Sequence, residues 1–227
     1  MRVKEIKDSI DYFKKLLGSK DYQELLFLYE STADPTSLSL MEHNIDAWFQ
    51  SDYTQRLWKR RNYRPVEHLQ LLIQQNEDYF YQALRDLLNE DKELSNRVER
   101  FIFYMDELLL LYRKDHPEST ISNHQMDHSF ISILLNRAYP HKYAFYRFSV
   151  FEKTALRIGA QPLPLVDDLV RFQKFINIYS TLMQKDPEFM SLHKNRMHRL
   201  GKTYKFFPAN VALECMLSRE GIDIIAD

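Results

Sequence analysis

Apolar side chains return at intervals of three and four residues along most of this chain, a period that builds helices and cannot be sustained by strands. Ile6, Ile10, Phe13 and Leu17 share one side of a first helix, with Lys4, Lys7, Asp11 and Lys14 outside. Gly18 and Ser19 interrupt the pattern, Asp21 to Glu30 resumes it, and the stretch around Pro35 reads as a loop, which predicts an amino-terminal hairpin over residues 1–32. Pro65 suits the first turn of a long helix whose face continues through Leu69, Leu72, Ile73, Phe80, Ala83 and Leu87, with Asn76 its one polar interruption. From Asp91 to Lys114 the stripe Leu94, Val98, Phe101, Ile102, Met105, Leu108, Leu109 and Tyr112 marks the expected central core helix, closed by His116-Pro117.

Later segments follow suit. Phe130 to Leu135 is an apolar run whose neighbours favour helix. Ser149 and Glu152 have capping-box spacing for a short helix ending near Gly159. After the rigid turn of Pro162 and Pro164, Leu165, Leu169, Phe172, Ile176, Tyr179 and Met183 form another amphipathic face, and Asp186-Pro187 opens the next helix. Four glycines in 227 residues leave little for a turn-rich sheet fold. The expectation is one all-α domain over 1–227, an irregular multi-helix bundle of about eight to ten helices, with its main body at 42–220.

The single cysteine, Cys215, has no internal partner for a disulfide, and the eight histidines have no cysteines with which to build a structural zinc site. No signal-peptide core opens the chain and no apolar run reaches the roughly 18 residues of a membrane span. These features predict a cytoplasmic protein with no membrane partner, no metal and no cofactor. Residues Gly221 to Asp227 read as a severed linker.

Gly201-Lys202-Thr203 has the ending of a phosphate loop, but Arg196 stands where the motif needs its first glycine. His124 and His128 have two-histidine metal spacing if their segment is helical, yet no glutamate occupies the metalloprotease position beside His124. Arg61-Asn62 and His68 fit the loose arginine-to-histidine spacing of helical ribonucleases of the HEPN superfamily, in which a histidine acts on the ribose hydroxyl and an arginine stabilises the pentavalent phosphate. Cys215 lies in an apolar stretch without adjacent bases to activate a thiol, and the acid pairs Asp106-Glu107 and Asp167-Asp168 lack companions for a nuclease centre. No catalytic residue is assigned.

With a net charge of −1, nucleic-acid contact has to come from local clusters. Two exist. One places Arg56, Lys59, Arg60, Arg61 and Arg64 beside Trp58 and Tyr63, a mixture able to hold phosphates and stack bases, although Trp58 also suits a core. The other, His193 to Lys205, carries Lys194, Arg196, Arg199 and Lys202.

Arg56-Leu57-Trp58-Lys59, Tyr63-Arg64-Pro65, Asn89-Glu90-Asp91-Lys92, Arg97, Arg100-Phe101 and Asp106-Glu107-Leu108-Leu109 resemble the amino-terminal region of McrB-type AAA+ restriction NTPases, the 5-methylcytosine-specific restriction family. Tyr139-Pro140-His141-Lys142-Tyr143, Tyr146, Phe151 and Gly159 look like that family's proline, lysine and tyrosine segment. The resemblance covers roughly residues 55–200. It implies a non-catalytic module that recognises the target, often modified DNA, for an AAA+ ring that recruits an McrC-like nuclease subunit. No Walker A sequence is present in this chain, so motor activity does not carry over, and the resemblance implies a fragment or a stand-alone relative. A helical protein-interaction or assembly module, with self-association among its partners, is the alternative from the residues alone; the HEPN-like ribonuclease is the third.

Overall fold

The computed structural model describes residues 1–19, 45, 49, 55, 58, 63–199 and 206–222, and among them the protein is all-α. The second arm of the expected hairpin, the Pro35 loop and the basic residues Arg56, Lys59, Arg60, Arg61 and Lys202 lie outside the described residues. The chain divides into two compact units, one formed by Met1–Thr32 with Tyr139–Asp227 and one by Ala33–Ala138, where the sequence suggested a hairpin beside a single main bundle.

In the first unit, α1 (Val3–Gly18) buries Ile6, Ser9, Ile10, Phe13 and Leu17, the face its spacing requires. It packs on α7 (Leu169–Gln184), α8 (Pro187–Arg199) and α9 (Pro208–Glu220), so the amino terminus is sealed into the carboxyl-terminal helices. Phe13 and Phe189 bring their rings to 6.1 Å. Lys14 Nζ reaches Asp11, Asp186 and Glu188 at 2.8, 3.0 and 2.9 Å, fastening α1 to the start of α8. The hydrophobic centre is α9, where every residue from Ala209 to Leu217 is buried. A helix buried on all sides, here with Asn210 and Glu214 among its buried residues, has no amphipathic stripe, which is why periodicity pointed elsewhere for the central helix. Gly221, in the left-handed conformation at φ 62°, stops it.

The short helix α6 (Phe148–Arg157) corrects the capping-box reading: it begins before Ser149, and Arg147 caps it with no side-chain hydrogen bond. Gly159 does end this segment, at φ 61°, and a Cβ there would stand 3.2 Å from Arg2 Nε. The proline, lysine and tyrosine segment is core. Tyr143, Tyr146 and Phe151 are buried, and Tyr146 and Phe151 meet Phe172 edge-on at 5.2 and 6.1 Å. Leu165, assigned from spacing to the next amphipathic face, is 89% exposed because α7 starts only at Leu169.

In the second unit the long helix expected from Pro65 to Leu87 is two helices, α2 (Pro65–Ile73) and α3 (Glu77–Leu88). Asn76 is the break: its side chain accepts from Tyr79 N at 3.0 Å and caps α3. Asp127, Asp168 and Asp186 repeat this geometry at α5 (His128–Ala138), α7 and α8, accepting from the amide three residues on at 2.9, 2.8 and 3.0 Å. Each such cap contributes about 1 kcal/mol.

The helix α4 (Leu94–Asp115) packs on α2 and α3 through Arg97, Val98, Phe101, Met105, Leu108 and Leu109, and leaves Phe103, Leu110 and Leu111 exposed, so it is an outer helix and not the centre. The run Phe130–Leu135 is helical and buried throughout, within α5. Phe49 stacks on Phe130 at 5.4 Å and Trp58 meets Phe49 edge-on at 5.9 Å, which assigns Trp58 to the core. Among the described residues no helix is long and apolar enough to cross a membrane.

Candidate functional site

The basic residues singled out from the sequence meet different fates. Arg196 is 1% exposed, and its guanidinium grips Glu214 of α9 with both Nη atoms, at 2.7 and 2.9 Å, inside the first unit. It is therefore withdrawn from the phosphate-contact set. An exposed cation and a buried one look alike in a string of letters, and the Arg196 partner lies 18 residues away on another helix. Arg199 Nη2 donates to the Leu17 carbonyl at 2.8 Å, and Lys194 on the same helix is exposed. In the second unit Tyr63 gives its hydroxyl proton to Asp127 Oδ1 at 2.7 Å, and Arg64 is exposed beside Glu67.

His124 and His128 do not share a helix face, since His124 precedes α5. His124 Nδ1 accepts from Met126 N at 2.8 Å and Nε2 faces Asp106 Oδ1 at 3.3 Å, so both ring nitrogens are engaged in holding the turn. Burial draws this imidazole below its usual range, against the opposing pull of Asp106. His68 Nδ1 lies 3.1 Å from the Asn123 carbonyl, while Arg61, its companion in the ribonuclease reading, is outside the described residues. Asp168 caps α7, and the Cys215 thiol is fully buried and pushed well above its ordinary pKa by that burial. No group of three or more His, Cys, Asp or Glu among the described residues is placed to hold a metal ion.

A different site emerges where α3 meets α4. A cleft of about 290 Å³ opens there, lined from α3 by Gln82, Arg85 and Asp86, from the following turn by Asn89 and Lys92, and from α4 by Arg100 and Tyr104. Positions 82, 85, 86 and 89 fall at intervals of three, four and seven, one face of a helix, and 100 and 104 face them from α4. The turn between the helices is built to hold this face. Arg97, 2% exposed, donates from Nη1 to the Leu87 carbonyl at 2.8 Å and to Glu90 at 2.7 Å, satisfying the end of α3. Asn89 Oδ1 accepts from Asp91 N at 3.0 Å and closes the turn.

Three cations line this cleft against one carboxylate. Asp86, its side chain 10% exposed, is shared by Lys92 Nζ and by Arg100 Nε, the latter at 3.0 Å. Arg85 is exposed and has no ion-pair partner among the described residues. Arg100 Nη2 also reaches the Tyr104 hydroxyl at 3.5 Å, and with the Lys92 and Arg100 side chains 42% and 52% exposed, donors beyond these contacts are accessible to an incoming acceptor. Tyr104 is flanked by aromatic rings, Tyr79 edge-on at 4.7 Å and Phe103 at 6.2 Å. The result is a polar recess with two positive charges in excess beside an aromatic edge. Chemically it suits an oxyanion.

Lys92, Arg97 and Arg100 stand within the sequence motifs, but nothing in those motifs marks a cleft. The signal was present as a polar helical stripe at 82, 85, 86 and 89, but it becomes a site only once the break at Asn76 sets where α3 begins. Set against protein-family models, curated proteins and solved structures, the chain matches none of them.

Proposed function

We propose that this chain is a non-catalytic helical target-sensing module of a restriction or antiphage-defence AAA+ NTPase, working in the cytoplasm, and that it contacts nucleic acid, DNA foremost. The observation that carries this reading is the cationic excess of the α3–α4 cleft, whose arginines and lysine have donors left over for phosphate oxygens. Its motifs supply Lys92 and Arg100, two of the residues through which the chain resembles McrB-type amino-terminal regions. Arg64, Lys194 and Arg199 are further exposed cations, and Arg56, Lys59, Arg60, Arg61 and Lys202 complete the basic set of the sequence. In this reading an McrC-like nuclease would join through an AAA+ ring and not through this chain.

Fluorescence anisotropy with labelled single-stranded, duplex and methylated duplex DNA and with RNA, at two salt concentrations, tests the proposal. Saturable binding that weakens steeply with salt is expected, since each neutralised phosphate releases counterions, and the Arg60→Gln, Arg61→Gln double variant weakens binding to every sequence alike. Absence of binding at micromolar protein rejects nucleic-acid sensing. It would favour the second reading, a protein-interaction or assembly module, for which the exposed Leu110 and Leu111 of α4 and the exposed Leu156, Leu165 and Val166 of the first unit are the supporting observation.

A further inference from the structure

We infer that the α3–α4 cleft is a single-nucleotide subsite for unpaired nucleic acid, taking one phosphate between Arg85, Lys92 and Arg100 and one base against Phe103. The inference rests on the nucleic-acid reading above and adds to it the site, the strand form and the residues. Phe103 is 58% exposed although it is a phenylalanine on a well-packed helix, and it stands one turn beyond Arg100 on the same side of α4. Its ring adjoins Tyr104, which itself lines the cleft, so an aromatic surface begins where the cationic recess ends. Arginine and lysine beside an accessible aromatic face is the combination that holds a backbone phosphate and stacks its base without regard to sequence.

The surrounding charge limits the site to about one phosphate. Glu99 and Glu107 flank Phe103 four residues away on either side, and acidic residues outnumber basic ones across residues 33–138. A row of duplex phosphates running along α4 would meet these carboxylates, whereas one phosphate in the recess meets only Asp86, already shared by two cations. A base stacked inside a duplex cannot present its face to Phe103; an unpaired one can. The volume of about 290 Å³ agrees with a phosphate and sugar more than with a helical groove contact.

The full chain is titrated with fluorescein-labelled oligothymidylate, with a duplex of equal length, with thymidine monophosphate and with inorganic phosphate. Oligothymidylate is expected to bind more tightly than duplex, thymidine monophosphate more tightly than inorganic phosphate. The Arg85→Gln, Lys92→Gln double variant, which removes two of the three cations lining the cleft, is expected to lose about tenfold or more toward the oligonucleotide and both small ligands. Phe103→Ala is expected to lose about tenfold toward oligothymidylate and thymidine monophosphate while leaving inorganic phosphate unchanged, a split that a general loss of fold would not produce. Unaltered oligonucleotide binding in the double variant, with Arg60→Gln, Arg61→Gln still weakening it, overturns the cleft and leaves the target-sensing reading standing. Tighter binding of the duplex overturns the unpaired-strand assignment. No binding of any nucleic acid overturns both readings together.

Discussion

Each unit of the protein holds an arginine against a carboxylate, and the two pairs are put to opposite uses. Arg196 and Glu214 are 1% and 0% exposed, locked in a two-point pairing between α8 and α9. Arg100 shares the Asp86 carboxylate with Lys92 at the rim of an open cleft, its side chain 52% exposed. In the first unit the charges are consumed by each other, and what the pair contributes is the mutual placement of two helices. In the second the cations outnumber their counterion, and the excess faces water. The same residue types are structural where they balance in the dark and available where they fail to balance in the light, so a positive cluster in sequence is informative only after its counterions are located.

The largest effect that this comparison predicts is at Glu214. Exchange of Glu214 for Gln keeps the shape of the side chain and removes the carboxylate paired with the Arg196 guanidinium, which is 1% exposed. Breaking a buried pair from one side costs about 3–5 kcal/mol, most of it the penalty of the orphaned charge. Urea unfolding of Glu214→Gln should show that loss as a lower midpoint; a shift within about 0.5 kcal/mol would mean that the pair is solvated in solution and that the contrast between the two units is wrong.

A smaller and graded effect follows from His193, one turn before Arg196 on α8. Burial, helped by the Arg196 charge, pushes its imidazole down to about 3. In the folded protein His193 is therefore neutral at pH 5, whereas in the unfolded chain it takes up a proton below about 6.5. The unfolded state binds the extra proton between those values, so stability is present in full above pH 6.5 and is lost as pH falls toward 3, by up to about 1.4 kcal/mol per pH unit. Unfolding midpoints at pH 7, 6 and 5 should fall in that order, and His193→Gln should flatten the trend. A wild-type midpoint that holds steady from pH 7 to 5 would remove His193 from the buried set.

How far the sequence disclosed these arrangements depends on what each element buries. Helices with one apolar stripe, such as α1 and α7, announced themselves because half of each turn meets water. α5 and α9 are buried on all sides, so their runs Phe130–Leu135 and Val211–Leu217 showed hydrophobicity without direction, and the centre of each unit was hidden for the same reason. Asn76 was visible as a polar interruption but not as a cap, because capping depends on the amide of Tyr79 turning toward it. The basic cluster around Arg196 was legible as charge and illegible as function, since nothing near it in sequence points to Glu214. The cleft suffered the reverse fate: its residues are spread from Gln82 to Tyr104 with acids among them, so no window of the sequence is conspicuously basic.

The smallest stability effect, and the sharpest use of the comparison, is the same chemical edit made at the second carboxylate. Asp86→Asn removes a carboxylate that is 10% exposed from beneath two cations that are 42% and 52% exposed, so the cations it leaves behind can turn to water and the loss should stay below that of a pair buried on both sides. Its unfolding midpoint should fall by less than that of Glu214→Gln, though both changes delete a carboxylate that contacts arginine. Function should move the other way. With Asp86 neutral, Lys92 and Arg100 lose their shared counterion and the cleft carries three positive charges where it carried two, so an incoming phosphate no longer competes with a resident carboxylate. Oligothymidylate binding should therefore tighten, with a steeper dependence on salt. Weaker binding with unchanged stability would show that Asp86 is needed to hold Lys92 and Arg100 in position, making its role one of organisation and bringing the two units closer in kind than their exposure suggests.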